Sequence, residues 1–373
     1  MKHRPFAALL AAFVLTSAVP FTAFADDGET ETIVETTEET TEETTEETTE
    51  TPIKSDWDYD IGDEIIKDGL KFSVYQLGPT RLEVKSCLTN DREIEVPEVV
   101  DNLIVDRIGK YAFKERKELY SVKLPESIRT IGTYAFFKCE NLHEFNFPNC
   151  LEQIDALAFS NCYDMWPIKL NRGLEKMEIA VFQACTGAKS LSIPGRMEVF
   201  TDHTCQFMSS LYTLRLCTGV KIIEKDAALN NMYQKRVIIP PTVTEIAPYS
   251  IGYTYFEGDY DQPLDIEIFG VKGTAAEQYA KNHGFDFVEF DFKYGDMNND
   301  GKVDANDASL ILADYANSSV KDNVSAFSHS EALKADLNDD FVVDAIDASL
   351  VLSYYAFISS GKNYTPEEFF FQR

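Results

Sequence analysis

The side chains with the most chemistry to offer lie in two stretches near the C-terminus. Asp296–Ala316 reads DMNNDGKVDANDASLILADYA, and Asp336–Ala356 reads DLNDDFVVDAIDASLVLSYYA, offset by 40 residues (336 − 296). Each places oxygen donors at positions 1, 3, 5, 7, 9 and 12 of a loop that runs into a short helix-like stretch. That is the spacing a hard divalent cation such as calcium requires. In the first loop the donors are Asp296, Asn298, Asp300, the backbone carbonyl of Lys302, Asp304 (directly or through water) and Asp307. In the second they are Asp336, Asn338, Asp340, the carbonyl of Val342, Asp344 and Asp347. An acidic, solvated loop is the plain alternative. It does not account for two copies in one register, each continuing Asp-Ala-Ser-Leu and ending in Tyr-Ala. Position 6 separates the copies, being Gly301 in one and Phe341 in the other. The backbone turns there with positive φ, which costs a bulky residue about 1–3 kcal/mol. Two Ca2+ sites are expected, the second weaker or following an altered loop path.

The pair of loop–helix units resembles a dockerin domain over about 290–360. The resemblance implies a small all-α calcium-binding domain that attaches a secreted protein to the cohesin module of a scaffoldin in a cellulosome. It also implies that the residues just after loop position 9, and those along the following helix, meet the cohesin. By motif position these are Ala305, Asn306, Leu312 and Ala313, and Ala345, Ile346, Leu352 and Ser353 in the second copy. The two sets agree only in part, so one preferred binding face is expected, the more apolar second copy.

The elements that must carry these loops are legible upstream. The 373-residue chain has 63 acidic against 34 basic residues, a net charge of −29, which argues against a nucleic-acid partner. Residues 1–25 read as a signal peptide: Lys2, His3 and Arg4, an apolar run from Phe6 to Val19, then Ala23-Phe24-Ala25. No later run is long and apolar enough to span a membrane. Residues 26–56 form a Thr/Glu-rich linker with too little apolar surface to fold. Seven cysteines without a CxxC spacing fit neither a complete disulfide framework nor a zinc site.

Residues 57–107 alternate apolar and polar in short runs broken by Gly69, Gly78-Pro79 and Asn90-Asp91, an N-terminal β cap. From 108 to 290 a 23-residue period dominates. Leu124, Phe147, Leu170, Ile193, Leu216 and Ile239 keep it; so do Ile131, Ile154, Met177, Phe200, Ile223 and Ile246. A unit this short buries its apolar side only by stacking, which makes a solenoid. Each coil is expected to supply one strand ended by a proline (Pro125, Pro148, Pro194, Pro240). Successive strands then build a parallel sheet with a step of about 4.8 Å. The Ala-Phe pairs at 135–136 and 158–159 are expected on a helical turn opposite. Over about 90–290 the pattern resembles BspA-like leucine-rich repeats with a C-terminal cap. The fold expected is therefore an α/β solenoid joined, by a short link at 291–295, to the all-α module at 291–373. In coils three to five, Asn171 and Cys217 replace the proline and looser packing is expected. Cys139, Cys162 and Cys185 share one repeat position and should stack as buried thiols, adjacent rungs being near enough for a disulfide to be conceivable.

A catalytic set is hard to find. Histidines fall at 3, 143, 203, 283 and 329, none in a metalloprotease or nucleophile-elbow context. No phosphate-binding loop is present. The chain reads as a non-enzyme, with a polysaccharide-degrading enzyme or a structural adaptor as alternatives. Recognition has more candidates. One outward strand row carries Lys123, Lys169 and Arg215; a row beside it carries Tyr120, His143, Trp166 and Tyr212. Such rings can stack on a cell-wall glycan or a cell-surface protein, or can simply cover the edge of the core.

Overall fold

The computed structural model describes residues 59–256, 259–260, 263–320, 325–338 and 342–371. The signal peptide expected at 1–25, the linker expected at 26–56, and loop positions Asp340 and Phe341 lie outside the described residues. The alternating N-terminal runs form strands Glu64–Lys67, Leu70–Gln76 and Arg81–Cys87, paired antiparallel. Arg81–Cys87 then pairs in parallel with Leu103–Ile108, and from there the chain winds into a parallel solenoid of about nine turns with the 23-residue period.

The expected strand column is present but broken once. Glu93–Glu95, Ser121–Lys123 and Glu144–Phe145 pair in parallel, as do Ser190–Ile193, Thr213–Leu216, Arg236–Ile238, Glu267–Gly270 and Asp286–Glu289. The coil between them, at 166–170, forms no strand. Pro167 sits there inside the strand position and has no N–H to give the ladder. A second column runs down an adjoining side. It comprises Thr130–Ile131, Gln153–Ile154 and Lys176–Met177, then Val199–Phe200, Ile222–Ile223 and Glu245–Ile246. Its two-residue strands are too short for alternation to reveal.

The Ala-Phe segments are not helical, contrary to the sequence expectation. Each sits in a run of turns in which the residue before Ala-Phe, or its equivalent, is left-handed. Tyr111, Tyr134, Leu157, Ala180, His203, Asp226 and Tyr249 have φ between 55° and 63°. The amides of Tyr134, Phe136 and Lys138 donate to the carbonyls of Ala156, Ala158 and Ser160 in the next coil. A helix would turn those donors along its own axis; here they bind coil to coil.

Inside, Phe113, Phe136, Phe159 and Phe182 stack with centroids 4.8, 5.1 and 5.6 Å apart. Cys139, Cys162 and Cys185 form the expected ladder as free thiols, each Sγ donating to a carbonyl of the preceding coil, those of Phe113, Phe136 and Phe159. Burial pushes the Cys139 and Cys185 thiols up to about 12, so they stay protonated. Coils three to five are not looser. Leu170, Met177, Ile193, Phe200, Leu216 and Ile223 are at most 1% exposed. Asn171 takes the proline's place by donating its side-chain amide to the carbonyls of Pro148 and Leu151.

Helix α1 (Ala275–His283) closes the stack, stopped by Gly284 at φ 77°. The C-terminal module follows with α2 (Ala305–Ser318), α3 (His329–Ala335), α4 (Ala345–Ser359) and α5 (Pro366–Phe371). Ala308, Ile311, Ala348 and Val351 are buried on the inner sides of α2 and α4. The module lies against the solenoid rather than hanging from the 291–295 link. Ile238 and Phe269 of the strand column share one apolar cluster with Phe290, Tyr294, Leu333 and Phe371.

Candidate functional site

Each acidic loop is built around two buried carboxylates. Asp307 is fully buried and Asp296 is 3% exposed. Asp307 accepts from the amides of Met297 (2.8 Å) and Asn298 (3.1 Å) through one oxygen and Asp304 (2.9 Å) through the other. Asp296 accepts from the amides of Asp300 and Gly301, both at 3.1 Å. Asn298 and Asp300 each accept from an amide two residues on, at 2.8 Å. Gly301 has φ 83°, so the turn falls on the residue best suited to it. Among the described residues no basic side chain forms an ion pair with Asp296 or Asp307. Buried charge of one sign without a counter-charge fits a bound divalent cation. The donor set, all carboxylate, amide and carbonyl oxygen, suits calcium better than zinc.

The second loop repeats the scaffold at position 12, but its position 1 has a counter-charge, the Arg236 guanidinium lying 4.0 Å from Asp336. Asp347 is fully buried and accepts from the amides of Leu337 (2.8 Å) and Asp344 (2.9 Å). Asp336 is 2% exposed. Loop positions 9 and 12 have a further role that the ligand spacing did not disclose. Asp304 caps α2 and Asp344 caps α4, with Asp307 and Asp347 completing reciprocal capping boxes. The loop and the helix start are therefore one hydrogen-bonded unit. The pattern D-x-x-D ahead of an apolar run was the available signal.

All eight residues expected to meet a partner are exposed: Ala305, Asn306, Leu312 and Ala313 on α2, and Ala345, Ile346, Leu352 and Ser353 on α4. Leu312 is 42% exposed, Leu352 44% and Ile346 54%, with Leu310, Tyr315 and Tyr355 also open. Leucines this open on short helices form an apolar surface with nothing on it. Comparison with known families decides what kind of module carries that surface. Residues 106–235 match the BspA type leucine rich repeat region, in six copies, and residues 294–356 match the dockerin type I domain. The chain joins a BspA type repeat region to a dockerin. Dockerin type I domains in general bind calcium, and a dockerin implies a cohesin partner and cellulosome association. Both regions are non-catalytic in kind.

Among solved structures, the chain is similar to a leucine rich cell surface protein from Faecalibacterium prausnitzii A2-165. Identity is 20%, 58% of this chain and 74% of that one are covered, and the TM-score is 0.46. It is also similar to a leucine-rich repeat protein from Bacteroides ovatus (23% identity, 56% of each chain, TM-score 0.47) and to the leucine rich repeat protein of T. pallidum (18% identity, 61% and 98%, TM-score 0.43). No curated protein matches the chain. No helix among the described residues is long and apolar enough to cross a membrane.

The recognition rows on the solenoid divide. Tyr120 and His143 stack at 5.5 Å with 19° between rings, and Arg92 lies 5.8 Å from the Tyr120 centroid. Trp166 is partly buried against the core. Lys123 and Lys169 are exposed, Lys123 pairing with Glu95 at 2.6 Å. Tyr212 is partly covered, with the Arg236 guanidinium 5.6 Å from its ring. Arg215 departs from the expectation: it is fully buried, not presented on an open face. Its guanidinium carbon lies 3.6 Å from the Phe371 centroid and 4.7 Å from that of Tyr294, both from the dockerin side. The sequence treated each part alone, and an arginine in a strand row reads as solvated until its neighbour is known.

Further contacts line the same seam. Glu367 accepts the Thr218 amide at 2.9 Å, and Arg172 sits 3.5 Å from the Tyr364 centroid and 3.7 Å from Glu368. Nδ1 of His329 lies 2.9 Å from Glu267. Burial raises the Glu367 carboxyl above its ordinary range, against the opposing effects of the Thr218 donor and the Arg215 charge. Arg172 and Tyr364 did not stand out in the sequence, and the tail Thr365–Arg373 with Phe369-Phe370-Phe371 read only as a segment free to pack back on its own domain or fray. The one available signal was the run Pro-Glu-Glu-Phe-Phe-Phe, which in isolation only asks for a surface to cover.

Proposed function

We propose that this is a secreted, non-catalytic component of a cellulosome, in the setting of plant polysaccharide degradation. Its dockerin, loaded with calcium at two sites, binds a scaffoldin cohesin, and its solenoid binds a protein or glycan. The observation that carries the reading is the open apolar surface on α2 and α4, borne by helices whose starts are tied to the acidic loops. Removing the ion leaves the buried carboxylates of each loop to repel one another, so the helix starts loosen and the surface loses its shape. Asp296, Asn298, Asp300, the Lys302 carbonyl, Asp304 and Asp307 would hold the first ion. The equivalent residues from Asp336 to Asp347 would hold the second, more weakly because of Phe341. Ile346 and Leu352 make the α4 side the preferred one.

A panel of cohesin modules immobilised on a sensor surface tests this. Binding to at least one, abolished by chelator and reduced about tenfold or more by Leu352→Asp, is the expected result, since a buried apolar anchor is worth about 2 kcal/mol or more. Binding indifferent to chelator sinks the reading. For the solenoid, the half-buried, stacked Tyr120–His143 pair and its flank are the recognition surface. The variant Tyr120→Ala with His143→Ala should elute earlier than the parent from immobilised cell-wall glycan while melting at nearly the same temperature. Co-elution removes the rings from consideration.

A further inference from the structure

We infer that the strand face around Arg172, Arg215 and Thr218 is a receptor for the chain's own C-terminal segment, residues 364–371, which latches the dockerin to the solenoid in one fixed orientation. The seam is matched group by group. Arg215 is fully buried against two rings that touch each other at 4.8 Å, Tyr294 at the start of the dockerin match and Phe371 beyond its end. Arg172 meets both a ring and a carboxylate, Tyr364 and Glu368. Glu367, 8% exposed, takes the amide of Thr218 across the seam. A guanidinium is expensive to bury without partners, and its flat faces suit aromatic rings. Neither side satisfies its groups alone: the solenoid would expose Arg172 and Arg215, and α5 would expose Phe371.

The short connection at 291–295 adds to the effect. It holds the two surfaces near each other, so closing the seam is an intramolecular step with a high effective concentration. The latch lies outside the dockerin match, which ends at 356, and uses α5 and flanking loops, leaving α2 and α4 outward. The surfaces for cohesin and for a solenoid ligand are then held at a set angle. The covered strands, from Arg215 to Phe269, are withdrawn from external binding.

Hydrogen–deuterium exchange of the whole calcium-loaded chain tests the latch. Thr218 is an exposed residue whose amide is held by Glu367. In Glu367→Ala with Phe371→Ala, the peptide containing Thr218 should exchange about tenfold faster or more, while peptides from 121–145 keep their protection. Unchanged exchange at Thr218 overturns the inference. Loss of protection throughout the solenoid overturns it as well, because a latch applied from outside leaves the coils' own core intact. The outcome is independent of cohesin binding, which uses the other helices.

Discussion

At the residue scale the molecule is governed by where single charges are buried. Asp307 serves three amides with two oxygens while remaining available as a calcium ligand. Of the two calcium sites proposed, Asp307→Ala should remove one in titration calorimetry. It should also cost about 1–3 kcal/mol for each donor left without a partner in chemical denaturation. Retention of two sites would show that position 12 is structural only. Glu367 carries a pH signature. Its carboxyl is raised by burial, so the penalty for its charge is fully present above its pKa in the folded protein. The penalty fades as pH falls toward 4.5, the ordinary value. Relative to Glu367→Gln, which cannot ionise, the parent chain should therefore gain thermal stability on going from pH 7 to pH 5. A difference that does not vary with pH would mean that the carboxyl stays ionised at no penalty.

At the scale of elements, the coil is the unit, and its identity rests on which amides bond to which coil. Proline ends the first strand, a two-residue strand follows, and a left-handed residue sets up the turn that places Ala-Phe inward. The left-handed residues are not glycines, and each non-glycine costs roughly 1–2 kcal/mol there. Inter-coil hydrogen bonds hold them, as at Ala180, whose amide donates to Asp202. Ala180→Gly relieves that strain and gives back part of it as unfolded-chain entropy, so a net gain of about 0.5–1 kcal/mol is expected in urea denaturation. A loss would mean that the buried methyl outweighs the strain. The repeat and its inward rows were legible because a period of 23 brings like residues into contact on every coil. The turn conformation was not, because Ala-Phe flanked by polar residues suits a helical turn equally well. Only the coil ahead, offering the carbonyls of Ala156, Ala158 and Ser160, decides between them.

At the scale of the whole molecule, Ile238 and Phe269 of the solenoid pack into the dockerin's apolar cluster beside the solenoid's own core, so calcium bound by the module is expected to bear on the coils it touches. An ion that binds only the folded module stabilises it by about 2.7 kcal/mol at a hundredfold excess over Kd. Through the shared seam part of that reaches the solenoid. Chelator should therefore lower the unfolding midpoint followed at Trp166, within the third coil, and the shift should be lost in Phe371→Ala. Equal midpoints with and without chelator in the parent chain would show that the two parts unfold independently.

The sequence by itself determined the parts. The oxygen spacing of Asp296–Asp307 and its second copy, the 23-residue rows from Leu124 to Ile246, and the thiol ladder follow from contacts between residues at fixed intervals, which a single chain displays. Tertiary structure decided how the parts meet. Arg215 occupies a strand row that reads as solvated, and Glu367 and Phe371 occupy a tail that reads as free to pack or fray. Whether a charge is exposed or buried depends on what lies across from it, and the partners of Arg215, Tyr294 and Phe371, are 79 and 156 residues further along the chain (294 − 215 and 371 − 215). No periodicity connects positions so far apart, so the seam exists only once the chain has folded.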